Sequence, residues 1–258
     1  MSRAGTSATK VAVSALSHVG LVRDSNEDSL VVGPWTLCAT QTESPQTLVF
    51  PVGPPLVVAV ADGLGGHPGG ELASSLVARL LARAGPSLDG EDAISEALEQ
   101  CNQAVYAAAA GDPRLLTMGT TVAGLVITDG QVITFNVGDS RVYQLLPDGL
   151  QQVSVDDRPA GGGALSRHTV LQTLGGSIEH STVEPHLTSS PRPADACYLV
   201  CTDGLGDVVP TDELARILRD HEDRRAAYEL WKAAIDAGGP DNIAFAVVRL
   251  STDGGAAG

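Results

Sequence analysis

Only two lysines, Lys10 and Lys232, occur in the 258-residue chain. A P-loop needs a Gly-Lys pair, so that route to nucleotide phosphates is closed. Positive charge is scarce throughout: 16 Lys and Arg stand against 31 Asp and Glu, a net charge of −15. Such an excess repels polyphosphate and anionic lipid, which argues against a nucleic-acid partner and against a membrane surface. Long apolar runs are missing as well. No stretch reaches the ~18 residues that begin to suggest a spanning helix, and the first ten residues lack the apolar run of a secretory signal. The four cysteines form no metal or redox motif. Cys38 and Cys101 are isolated, while Cys197 and Cys201 fall on one strand face about 13 Å apart, too far for a disulfide or a shared ion. They read as reduced core thiols of a cytoplasmic protein.

What is present is core material, 43% hydrophobic residues against 18% charged, enough for one sizeable folded domain over residues 11–250. Residues 1–10 and 251–258 read as flexible tails. Strand patterns fall at 11–17, 29–32, 56–61, 120–127, 131–137, 141–146, 196–201 and 242–250. Helical spacing covers 71–84, through Leu72, Leu76, Leu80 and Leu81, and then about 90–110. Two further helices are expected at 211–218, with Thr211 as cap, and at 224–237. The proline-rich segment 33–55 reads as a hairpin excursion or insertion, and 154–181 as a Gly-rich irregular stretch. Strands at both ends with helix pairs between predict an α+β fold, a sandwich of antiparallel sheets flanked by helices.

Acidic residues recur beside glycine at the predicted strand ends: Asp62-Gly63, Gly138-Asp139, Asp203-Gly204, and Asp241 after Gly239-Pro240, with Glu27-Asp28 after the first strand. Any one of these is ordinarily a turn former. Gathered at one edge of a fold, they would repel each other unless cations stood between them. Ligation by oxygen alone selects Mg²⁺ or Mn²⁺ over Zn²⁺. Two other motifs fail. The stretch from Asp24 resembles an EF-hand loop, but its sixth position is Ser29 and its twelfth Trp35. Gly63-x-Gly65 begins a dinucleotide fingerprint that ends in Pro68 instead of glycine.

Six segments, in order, resemble the metal-dependent protein serine/threonine phosphatases (PPM, type 2C) in their bacterial form. They are GLVRDSNEDS (20–29), VVAVADGLGGHPGGELAS (57–74), MGTTVAGLVI (118–127), NVGDSRVYQL (136–145), LVCTDGLGDVV (199–209) and PDNIAFAVV (240–248). The resemblance spans nearly the whole chain. It implies an αββα fold, a central antiparallel β-sandwich with pairs of helices on both faces. It also implies a Mg/Mn-dependent hydrolase of phosphoserine and phosphothreonine that works by attack of a metal-bridging water. Its substrates would be phosphorylated proteins, in opposition to a serine/threonine kinase, and the enzyme would be monomeric.

Carried over residue by residue, Asp62 would bridge two ions. The Gly63 carbonyl and Glu27 would hold one of them, with Asp28 acting through water. Asp203 and Asp241 would hold the other, Asp139 would share a third, weaker site with Asp203, and Arg23 would grip the phosphate. Two cations clamping an in-line displacement, and a forked guanidinium on a phosphate dianion, are physically apt for that work.

The chain also departs from the pattern. Leu64 stands where some members carry a histidine acid. His67, three residues on, is either a catalytic acid or a structural residue at the helix entry. Asp156-Asp157 replaces a frequent Asp-His pair, and the flap over 155–181 is short. Arg141 reads as a charge locking a turn, and Thr120-Thr121 as β-branched strand residues. Two other readings compete: a phosphatase-like regulatory or binding module with little turnover, and a two-metal phosphoesterase for small substrates.

Overall fold

The computed structural model of the chain describes residues 9–65, 68–159 and 169–252. The strands in chain order are β1 (Thr9–His18), β2 (Asp28–Val32), β3 (Trp35–Cys38), β4 (Gln46–Pro51) and β5 (Leu56–Asp62). Helices α1 (Gly70–Ala84) and α2 (Glu91–Ala109) follow, then β6 (Gly119–Thr120), β7 (Val122–Ile127), β8 (Gln131–Val137), β9 (Arg141–Leu146), β10 (Gly149–Gln152), β11 (Leu174–Gly175), β12 (His186–Pro191) and β13 (Ala196–Cys201). The last elements are the single-turn α3 (Asp203–Gly206), α4 (Thr211–Asp220), α5 (Asp223–Asp236) and β14 (Ile243–Thr252).

Two six-stranded sheets result, ordered β10-β9-β13-β14-β1-β4 and β12-β8-β7-β5-β2-β3, with every ladder antiparallel. The apolar runs explain the layers. Along β5, Val58 and Val60 enter the core between the sheets, while Val57, Ala59 and Ala61 face the first helix pair. Along β14, Ala244, Ala246 and Val248 face the other sheet, while Phe245 and Val247 pack under α4 and α5. Strands buried on both faces need an apolar residue at every position, which is why they read as continuous runs. The expected helix–sheet–sheet–helix sandwich is the observed fold.

Five expectations need correction. Residues 33–55 are no excursion: β3 edges one sheet and β4 the other, because Leu37, Leu48 and Phe50 pack into the intersheet core. Strand pairing reaches further than the expected tails, with Thr9 and Lys10 opposite Thr252 and Ser251. Thr211 is the first residue of α4 and not its cap; Pro210 holds the cap position, and its carbonyl accepts from the Glu213 and Leu214 amides. Finally, α1 packs through Ala73, Val77, Ala78 and Leu81, all fully buried, whereas Leu72 is 42% exposed. Small residues let the helix lie close to the sheet, so the buried stripe runs through alanines rather than through the leucines alone. The strand over 120–127 is also broken at Thr121, for a reason found in the cleft.

Candidate active site

Both sheets send strand termini to the same edge of the sandwich. The start of β2, the end of β5, the β8–β9 turn, the end of β13 and the start of β14 all open there, around a cleft of 640 Å³. Arg23, Glu27, Asp62, Gly63, Asp139, Asp203 and Asp241 line it. Asp28 does not: it is buried, 1% exposed, and accepts a hydrogen bond from Thr202 Oγ1 at 2.9 Å. All eight residues singled out from the sequence therefore lie in or just beneath one cleft. His67 and Gly66 lie outside the described residues, as does the middle of the short flap.

The register accounts for the crowding. Asp28 sits directly opposite Asp62 in the β2–β5 ladder, so their side chains share a face. Like charges at opposed positions destabilise a sheet, and the acids respond by holding their protons. Burial first, and then the charges of Asp28, Asp203, Asp139 and Asp241, keep Asp62 well above the usual carboxylate range. Burial likewise keeps Asp28 high, with Asp203 and Asp241 adding to the effect. Asp203 is pushed up to about 7 by burial and by the Asp139, Asp241 and Asp207 charges. Glu27 is raised by burial and by Glu71.

Backbone contacts fix Asp62. The Asp62 carbonyl accepts from Thr121 N at 2.9 Å and from Thr120 Oγ1 at 2.7 Å. This is what interrupts the strand between β6 and β7. Gly63 donates to the Glu27 carbonyl, and a Cβ there would strike the Gly70 backbone, so only glycine lets the two segments meet.

Asn242, given no role from the sequence, staples the loop that carries Arg23. Its Nδ2 donates to the Val19 and Ser25 carbonyls at 2.9 and 2.8 Å, and its Oδ1 accepts from Glu27 N at 2.8 Å. A polar residue abutting a buried strand was the available signal, since buried amides are placed by their hydrogen bonds. Arg141 does lock a turn, pairing with Asp156 at 2.6 Å and donating to the Gly206 carbonyl. Asp157, where the resembled family often carries histidine, accepts from Gly138 N at 2.8 Å and pairs with His186 at 2.8 Å. It thereby ties the β8–β9 turn to β12.

Two arginines reach the acids. Arg23 Nη2 pairs with Asp241 Oδ2 at 2.7 Å, in the open mouth. Arg158, which the sequence did not single out, donates from Nε to Asp139 Oδ2 at 2.8 Å. A guanidinium therefore stands against Asp139, the residue expected to share a third ion with Asp203. Among the described residues no three His, Cys, Asp or Glu side chains close on one point, as expected of acids that repel each other and are drawn outward by arginines.

Comparison with known proteins supplies the remaining findings. The family model described as protein phosphatase 2C matches residues 48–236. The chain is 32% identical over 248 residues to the serine/threonine protein phosphatase PstP of Mycobacterium tuberculosis, covering 92% of this chain but only 44% of that protein. It is 30% identical over 217 residues to the serine/threonine phosphatase stp of Listeria innocua, covering 75% of this chain and 84% of that one. Among solved structures, the catalytic domain of PstP in complex with two manganese ions superposes with a TM-score of 0.75 at 30% identity, over 94% of this chain and 99% of that one. Stp1 from Staphylococcus aureus, 22% identical, shares the fold with a TM-score of 0.76 over 92% of this chain and 93% of that one.

Proposed function

The chain belongs to the protein phosphatase 2C family, and from that premise we propose that it is a Mn²⁺- or Mg²⁺-dependent phosphatase of phosphoserine and phosphothreonine in proteins. The observation that carries this reading is the convergence of carboxylates from strand ends of both sheets on one cleft whose mouth holds Arg23. Residues 11–250 would act as one catalytic unit, because neither sheet alone supplies the full set of acids.

The residues present suit hard divalent ions. The donors are all oxygen. Among the described residues Glu27 Oε2 and Asp28 Oδ1 are buried oxygens with no hydrogen-bond partner, a costly state that a cation would relieve. Glu27, Asp62 and the Gly63 carbonyl would hold one ion, with Asp28 behind them, and Asp62, Asp203 and Asp241 the other. The manganese of the PstP catalytic domain supports this choice of metal. Bound ions supply Lewis acidity toward a phosphoryl group and a water acidic enough to attack at neutral pH.

The chain's own groups do the rest. Arg23 offers a forked pair of N–H donors to a phosphate dianion. Its present partner Asp241 is exchangeable, since both side chains are more than a third exposed. Thr120 and Thr121 hold the Asp62 backbone, and Asn242 holds the Arg23 loop, so acids and arginine keep a fixed spacing across the cleft. Free, mostly buried cysteines accord with work in a reducing compartment such as the cytoplasm, against a serine/threonine kinase.

The test is hydrolysis of a phosphothreonine peptide with Mn²⁺ and with EDTA, beside p-nitrophenyl phosphate. Metal-dependent release from the peptide is expected. Turnover of the small ester alone would redirect the reading to small phosphoesters, and Mn²⁺ binding without turnover of either would make the chain a binding module.

A further inference from the structure

We propose that Arg158 is a built-in cation occupying the place beside Asp139 that another divalent ion would take, and so limits the cleft to two metal ions. The inference rests on the two-ion reading above and sharpens it.

The geometry is specific. Arg158 Nε donates to Asp139 Oδ2 at 2.8 Å, while Nη2 pairs with Asp207 Oδ2 at 2.7 Å and stands 4.0 Å from Asp203 Oδ2. One guanidinium therefore faces three carboxylates. It is also held from behind. Asp207 pairs in turn with Arg141 at 2.7 Å, and Arg141 with Asp156 at 2.6 Å. The string Asp139, Arg158, Asp207, Arg141, Asp156 alternates in sign, and each arginine bridges two acids. Little of it meets water at the cleft end: the Arg158 side chain is 15% exposed and that of Asp139 5%.

The two arginines of the cleft differ in what a metal would face. Arg23 is 41% exposed and can swing into solvent when an ion claims Asp241. Arg158 is 15% exposed and is held at both ends, by Asp139 and by Asp207. An ion at Asp139 would break buried ion pairs and strand a guanidinium beside a second cation, the costliest way to lose a salt bridge. Acids not tied to Arg158, namely Glu27, Asp28, Asp62 and Asp241, together with the nearer face of Asp203, remain for divalent ions. A fixed monovalent charge does not vary with metal concentration, so this end of the cleft is neutralised in every state of the enzyme.

The experiment counts Mn²⁺ bound per chain, by electron paramagnetic resonance of free ion and by calorimetry, in wild type, Arg158→Met and Arg158→Lys. Two ions are expected in wild type and in the lysine variant, which keeps the charge, and three in the methionine variant, the added one weakest. Three ions in wild type would overturn the inference, as would two in an Arg158→Met protein with a native circular dichroism spectrum. Should the methionine variant not fold, the other two proteins decide: two ions in both support the inference, and three in either overturn it. A wild type that binds no Mn²⁺ would overturn the two-ion reading itself, which keeps the two failures apart.

Discussion

Asp203 carries three burdens at once: it follows the end of β13, starts α3 and shares the cleft with Asp62, Asp139 and Asp241. Asp203→Asn removes charge while keeping shape. Phosphatase activity is expected to fall at least ~100-fold at saturating Mn²⁺ as a proposed ligand is lost. The metal-free variant should meanwhile melt higher than wild type at about pH 8, since one repelling carboxylate is gone. Near-wild-type turnover would refute the assignment. Arg23→Ala should raise KM more than it lowers kcat if the arginine grips phosphate in the ground state, and steady-state kinetics on a phosphopeptide reads this directly. Asp62, Asp139, Asp203 and Asp241 were legible in the sequence because acids beside glycine at the ends of apolar runs advertise themselves, whereas Arg23 was found only through the resemblance of its segment to the family. Arg158 was not, since an arginine in a glycine-rich stretch gives no sign of which distant acid it will meet; only folding brings it 2.8 Å from Asp139.

At the level of elements, α1 offers a clean contrast. Leu81 is fully buried against β5 and its neighbours, whereas Leu72 faces solvent. Leu81→Ala is expected to cost about 2–5 kcal/mol of unfolding free energy and Leu72→Ala well under 1, both measured by urea titration. Equal losses would mean that the helix is rotated about its axis. Most strands and all four longer helices were legible because a buried run or a 3.6-residue stripe is a local property. β12 was not: its sequence HLTSSP is polar and mostly exposed, and it becomes a strand only because β8 presents a free edge to pair with. The same holds for β3 and β4, whose prolines and polar flanks suggest a loop while a few inward residues, Leu37, Leu48 and Phe50, fix them to the sheets.

For the molecule as a whole, clustered acids make metal and pH act on the same quantity. Asp203 has a folded-state pKa of about 7 against an unfolded value near 4. Such a group contributes stability that is fully present below about pH 4 and is lost as pH rises through about 7. Asp62 and Asp28 shift in the same direction. The chelated protein should therefore melt higher at about pH 5.5 than at pH 8, the reverse of a protein held by salt-bridged carboxylates. Mn²⁺ should restore the melting temperature at the higher pH by binding the folded state. A chelated protein more stable at pH 8 would contradict the crowding.

The pairing of β14 between β1 and β13 has a consequence for synthesis on the ribosome. Until residues 243–252 emerge, one sheet exists as two unjoined halves, and Asp241 and Asn242 lack the strand that follows them into that sheet. Contacts between the first and last strands carry the longest sequence separation in the fold and form late. The cleft thus cannot assemble on a nascent chain before β14 is made, even though all of its acids have been synthesised by residue 241.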